Sequence, residues 1–170
     1  MNKKFQYYVI GGVVFTAAAG TCLHFAFEKS GGNPLVGMFA PVNESTWEHM
    51  KLLFFPMFLY VMAGWPFFFR SVPSFLRCCL TGTVTGTMFV AIIFYTYTGI
   101  IGRHYLILDI VTFLISVVIA FSVSYRLAIQ NSRILTLPLL VALNVGLMVG
   151  FFIFTYAPPE ISLFQIYAEK

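Results

Sequence analysis

The sequence predicts an all-α fold: a polytopic membrane helix bundle of about five transmembrane helices, N-terminus inside and C-terminus outside. Three observations carry this. Hydrophobic residues make up 59% of the 170 residues and charged residues only 9%, whereas a soluble domain carries about 25% charge. Such a chain cannot cover its surface with polar groups. The mean hydropathy is +0.88. The apolar residues gather into runs of roughly 20, the length that crosses the hydrocarbon core of a bilayer. Composition therefore speaks against a soluble enzyme and a disordered chain. A nucleic-acid binder is also disfavoured, because the net charge of +4 is scattered along the chain. The whole of 1–170 reads as a single integral membrane domain.

Five spans follow in order, at 7–27, 47–69, 75–97, 105–125 and 134–156. The first has a signal-peptide look, with Lys3 and Lys4 ahead of it and Ala17 to Gly20 near its end. No soluble domain follows and the run is long enough to span, so it is expected to stay as an uncleaved helix. Pro56 inside the second span is expected to kink it or free a carbonyl. Pro138 falls in the first turn of the fifth, where proline is tolerated. Gly12, Thr16 and Gly20, then Gly82 and Gly86, then Ala142, Gly146 and Gly150 repeat at four-residue spacing, which suits close helix approach in lipid. Asn144 is expected to make an interhelical hydrogen bond. Cys22, Cys78 and Cys79 form no disulfide framework, and Cys22 reads as an apolar packing residue before it reads as a ligand.

Orientation comes from the basic flanks. Lys3, Lys4, Arg70, Arg77, Arg126 and Arg133 fall on one side, and Lys29, Lys51, Arg103 and Lys170 on the other. The richer side is the inside. All six acids (Glu28, Glu44, Glu48, Asp109, Glu160 and Glu169) then fall in the outer half. So do His24, His49 and His104. Any chemistry that needs a titratable group is expected at the outer face.

The outer connection 28–46 is long and holds an apolar piece, Leu35 to Ala40, expected to fold back onto the bundle. It leads into the densest polar stretch of the chain, Asn43 to Lys51. Ser45 and Glu48 have the spacing of a capping box, and Trp47 suits a membrane interface. Capping does not account for His49 and Lys51. Polar groups that enter a membrane helix are expensive and usually face the bundle interior. His24 and Glu28 share a face of the first helix, and Asp109, Thr112 and Ser116 share one of the fourth. Histidines and carboxylates gathered from separate helices can build a metal site. The expected ligands are His24, His49 and Asp109, with His104 beside them, and zinc is the ion such a set would take.

Two functional readings from different classes follow. One is a polar outer-face site that binds a ligand, a lipid headgroup or a partner. In it Glu48 and Lys51 neutralise each other, as do Glu28 and Lys29, and Asp109 pairs with His104, Lys51 or Arg103. The other is a metal-dependent hydrolase of a lipid or lipid-linked substrate. There the metal lowers the pKa of a bound water to about 7, Glu48 or Glu44 acts as base, and Ser45 or Lys51 stabilises the oxyanion. A transporter or transporter subunit, acting as a homo-oligomer, is a further alternative. The lipid bilayer is the one partner common to all of these, and nucleic acid belongs to none.

The segment Asn43 to Lys51 with Leu52 to Pro56, together with Asn33 to Gly37, Phe39 to Val42 and Tyr156 to Pro159, resembles an uncharacterised bacterial family of small integral membrane proteins. That resemblance implies a multi-pass protein of the bacterial cytoplasmic membrane and transfers no activity. Ser45 to His49 is also similar to the Ser-x-x-x-His pattern of metal-dependent membrane hydrolases of the alkaline ceramidase and progestin/adiponectin receptor type. That similarity implies zinc chemistry, with His24 and His104 in place of the family's late histidine pair.

Overall fold

The computed structural model describes residues 3–72, 74–130 and 135–166. The predicted start of the fifth span at Ile134 lies outside them, as do Arg133, Glu169 and Lys170 of the orientation argument. The described residues form α1 (Lys3–His24), α2 (Ala26–Lys29), α3 (Pro34–Gly37), α4 (Thr46–Phe68), α5 (Phe75–Ile101), α6 (Leu106–Gln130) and α7 (Leu137–Tyr156), then a 3₁₀ turn at Ser162–Phe164. Five of these, α1, α4, α5, α6 and α7, are long and apolar enough to cross a membrane.

Long helices consecutive in the chain run antiparallel. Phe5 of α1 stacks on Tyr125 of α6, while Gly20 of α1 meets Phe113. The ends of α1, α5 and α7 therefore lie beside the starts of α4 and α6. Helix α4 is the buried centre, with Leu53, Phe54, Met57 and Val61 all solvent-free. Ile10, Val14, Ile92, Val118 and Val149 face outward, a belt that a water-soluble protein of this size would bury and that lipid accommodates.

Small residues set the helix contacts. A Cβ on Gly20 would overlap the Leu52 carbonyl and the Phe113 ring, and one on Gly82 would overlap Ser124 and the Ala120 carbonyl. Leu52 is the residue whose carbonyl Pro56 leaves without its helical donor, and α1 approaches α4 at that point. The third small stripe behaves differently. Nothing lies within 4 Å of a Cβ at Gly146, so this part of α7 is not a tight helix interface. Asn144 does bond across helices, donating to the Leu80 carbonyl at 3.3 Å. Pro138 occupies the first turn of α7. Cys22 is exposed rather than packed. Gly102 ends α5 at φ +82°, a left-handed conformation that glycine adopts without a Cβ penalty.

The long connection folds back as expected: α3 at Pro34–Gly37 leads into Phe39, which packs on Phe55 and Phe152, and Ala40, which is fully buried. Trp47 is buried. Its ring packs on Phe151 at 4.7 Å and Phe164 at 5.0 Å. The C-terminal turn covers it, tied by an antiparallel bridge between Ser45 and Ile166.

Candidate functional site

The ends of α1, α5 and α7 and the starts of α4 and α6 bring Glu28, Glu44, Glu48, Asp109 and all three histidines to one end of the bundle. Three separate assemblies form there.

The first is closed. Lys51 is 0% exposed and Glu48 is 1% exposed. The Lys51 ammonium donates to Glu48 Oε2 at 2.7 Å, to the Gly37 carbonyl at 2.9 Å and to Thr155 Oγ1 at 2.5 Å. Glu48 accepts further bonds from the Val42 N–H at 2.9 Å and from Thr155 Oγ1 at 3.0 Å. The Ala40 carbonyl lies 3.5 Å from the same ammonium, so its three protons face four acceptors, and the one Thr155 proton is shared between Glu48 and the Phe151 carbonyl at 2.6 Å. Such saturation is what a buried ion pair needs. The network fastens the 37–42 segment to α4 and α7. It also alters the cap of α4. Ser45 Oγ accepts the Glu48 N–H at 3.4 Å, as a capping box requires, but Glu48 does not reach back. Its carboxylate is committed to Lys51, and Asn43 Oδ1 takes the Ser45 N–H instead, at 2.9 Å. Of the residues expected to act as base and oxyanion stabiliser, Glu48 and Lys51 thus lie inside this network and Ser45 serves the cap. Glu44 lies elsewhere.

The second assembly is the pair His104–Asp109, at 3.2 Å between Nδ1 and Oδ2. Tyr97 of α5 donates to the other carboxylate oxygen. Below Asp109, Thr112 and Ser116 are buried as the stripe predicted. Arg103 lies over the Tyr105 ring at 4.7 Å. Asp109 thus takes His104 as its partner.

The third assembly is open. His24, Glu44 and His49 each offer a ligand atom, and these atoms lie within 4.8 Å of one another. His24 comes from the end of α1, Glu44 from the connection and His49 from the first turn of α4. His49 Nδ1 lies 2.9 Å from the Ser45 carbonyl. A carbonyl only accepts, so Nδ1 carries the proton and Nε2 is left to face Glu44 Oε2 at 3.2 Å. If the ring is neutral, two lone pairs confront each other. A proton or a metal cation between them removes the repulsion. A backbone carbonyl that fixes the tautomer in this way is the usual support of a metal-ligating histidine. The 3.2 Å separation also suits two ligands on one tetrahedral ion, which lie about 3.3 Å apart when the bonds are about 2.0–2.1 Å. His24 packs against His49 with ring centroids 5.4 Å apart, and its Nδ1 is buried without a hydrogen-bond partner. The His49 hydrogen bond, reinforced by the histidine charges around it, holds the Glu44 carboxyl below its ordinary value of 4.5. Glu44 stays ionised where a ligand must be.

The clustered set therefore contains His24 and His49 as expected. It takes Glu44 where the sequence pointed to Asp109 and His104. Glu44 was legible as a carboxylate five residues before His49, but nothing in the spacing places its side chain against His49 rather than in solvent.

Fold and site together define an all-helical protein with five membrane-compatible helices and a histidine–carboxylate cluster at one end. The chain belongs to DUF6512, a family of unknown function, which it matches over residues 1–169. No curated protein and no solved structure matches it.

Proposed function

We propose that the polar end of this protein binds a divalent transition metal, zinc by its ligand preference, through His24, Glu44 and His49. One observation carries the reading: three ligand atoms of the right chemistry, from three separate chain segments, lie within 4.8 Å of one another. Imidazole and carboxylate together suit zinc. The fixed tautomer of His49 and the unpartnered Nδ1 of His24 support it. In the metal-free state a proton shared between His49 and Glu44 holds the pair together, and metal binding releases it.

Elemental analysis of protein purified without chelators tests this. About one zinc per chain is expected in the wild type, lost in His49→Ala and in His24→Ala, with both variants still folded. Absence of metal from the wild type, or unchanged metal in folded variants, refutes it.

The excess of lysine and arginine at the opposite end supports placing this site on the outer face of a cytoplasmic membrane. A membrane-impermeant maleimide should then label Ser30→Cys in intact cells, with Cys22 replaced. Labelling only after lysis reverses the orientation.

A further inference from the structure

We propose that the metal keeps an open position for an exogenous oxygen-donor ligand that carries a proton (a hydroxamic acid, a carboxylic acid or a monoprotonated phosphate) received by the cleft beside the cluster, with Glu28 accepting the hydrogen bond from that proton. This rests on the metal-binding reading above.

The protein supplies three ligand atoms, whereas zinc takes four. Closed structural sites provide all four from side chains, while sites that keep three hold an exchangeable group in the fourth place. Two other carboxylates at this end of the bundle are already taken. Glu48 belongs to Lys51, Val42 and Thr155. Asp109 belongs to Tyr97 and His104.

Space for the missing ligand lies next to the cluster. His24 and Glu44 both line a cleft of about 420 Å³, within the range of roughly 300–1,000 Å³ that small-molecule sites occupy. Phe27 and Pro41 give it apolar wall. Asn43 lines it too, with Oδ1 committed to the Ser45 N–H, so its amide protons are the groups left to donate. Glu28 also lines the cleft. It lies one helical turn beyond His24, and its side chain makes no hydrogen bond or ion pair among the described residues. Lys29 does not neutralise it. A free carboxylate there accepts a hydrogen bond from a protonated oxygen of the ligand. The chemical class of ligand is therefore a small oxygen donor that carries such a proton, on a headgroup small enough for the cleft.

Cobalt substitution tests this on the full-length protein in detergent. Cobalt reports its coordination by visible absorption, and acetohydroxamic acid is the probe. The bands should shift saturably on titration. Glu28→Gln should bind the same cobalt but hold the hydroxamate about tenfold more weakly, the effect of losing one hydrogen bond to a charged acceptor. Cobalt bound with bands indifferent to hydroxamate means a closed shell, which overturns the proposal and leaves the metal reading standing. Loss of cobalt in Glu28→Gln makes Glu28 a fourth protein ligand and overturns it likewise. An unchanged hydroxamate affinity in that variant removes Glu28 from the site. Failure of the wild type to bind cobalt or zinc defeats the metal reading itself.

Discussion

Replacing Lys51 by Met should be the most destabilising single change at the polar end. Methionine keeps most of the unbranched stem and removes the ammonium. Glu48 then stays 1% exposed, holding only the Val42 N–H and the Thr155 hydroxyl, with no counter-charge. The Gly37 carbonyl also loses its Lys51 donor. Removing one member of a buried ion pair costs about 3–5 kcal/mol. For a domain of this size, at roughly 2–4 °C per kcal/mol, that is a Tm lower by roughly 6–20 °C. The protein carries its own reporter. Cys78 and Cys79 are free and buried while Cys22 is exposed, so a thiol-reactive dye added during a thermal ramp reads unfolding above a constant baseline. The double variant Glu48→Gln/Lys51→Met removes both charges and should recover at least half of the loss, because the penalty lies in the stranded carboxylate. A Lys51→Met variant within about 0.5 kcal/mol of wild type, the range of an ordinary surface change, refutes the reasoning. So does a double variant no better than the single one.

Two further outcomes follow from the same structure. Gly82→Ala forces a Cβ against Ser124 and the Ala120 carbonyl and should cost about 1–3 kcal/mol, whereas Gly146→Ala meets nothing and should be neutral or stabilising by up to about 1 kcal/mol from helix propensity. The two Tm values side by side check this, and equal shifts would contradict the assigned interfaces. Glu44 has a folded pKa below its ordinary value of 4.5. Its link to His49 therefore contributes stability above that value and loses it as pH falls through the lower folded pKa. Because Glu44 is 66% exposed, the contribution should stay below about 1 kcal/mol. Melting curves between pH 3 and 6 should show a shallower acid limb in Glu44→Gln, and identical limbs would dismiss the link.

The sequence by itself determined the five long helices, their approximate limits and the gathering of His24, His49, His104 and the acids at one end. These depend on local quantities: run length, hydropathy and an odd number of crossings. It also determined that Gly12 to Gly20 and Gly82 to Gly86 are contact faces, since lipid-embedded helices approach closely only through small residues. Tertiary structure decided which side chains meet. Lys51 read as a polar intruder, and only the docking of α3 and α7 turns it into a saturated ion pair, because its partners Gly37 and Thr155 are 14 and 104 residues away. Trp47 suited an interface by its type alone, and only tertiary structure closes the C-terminal turn over it. Asp109 and Glu44 both read as carboxylates of the outer half. Asp109 faces Tyr97 and His104, and Glu44 alone reaches His49. Helical spacing assigns a residue to a face of its own helix, but the angle and depth at which faces meet are set by packing across the bundle, and that choice separates a ligand from a bystander.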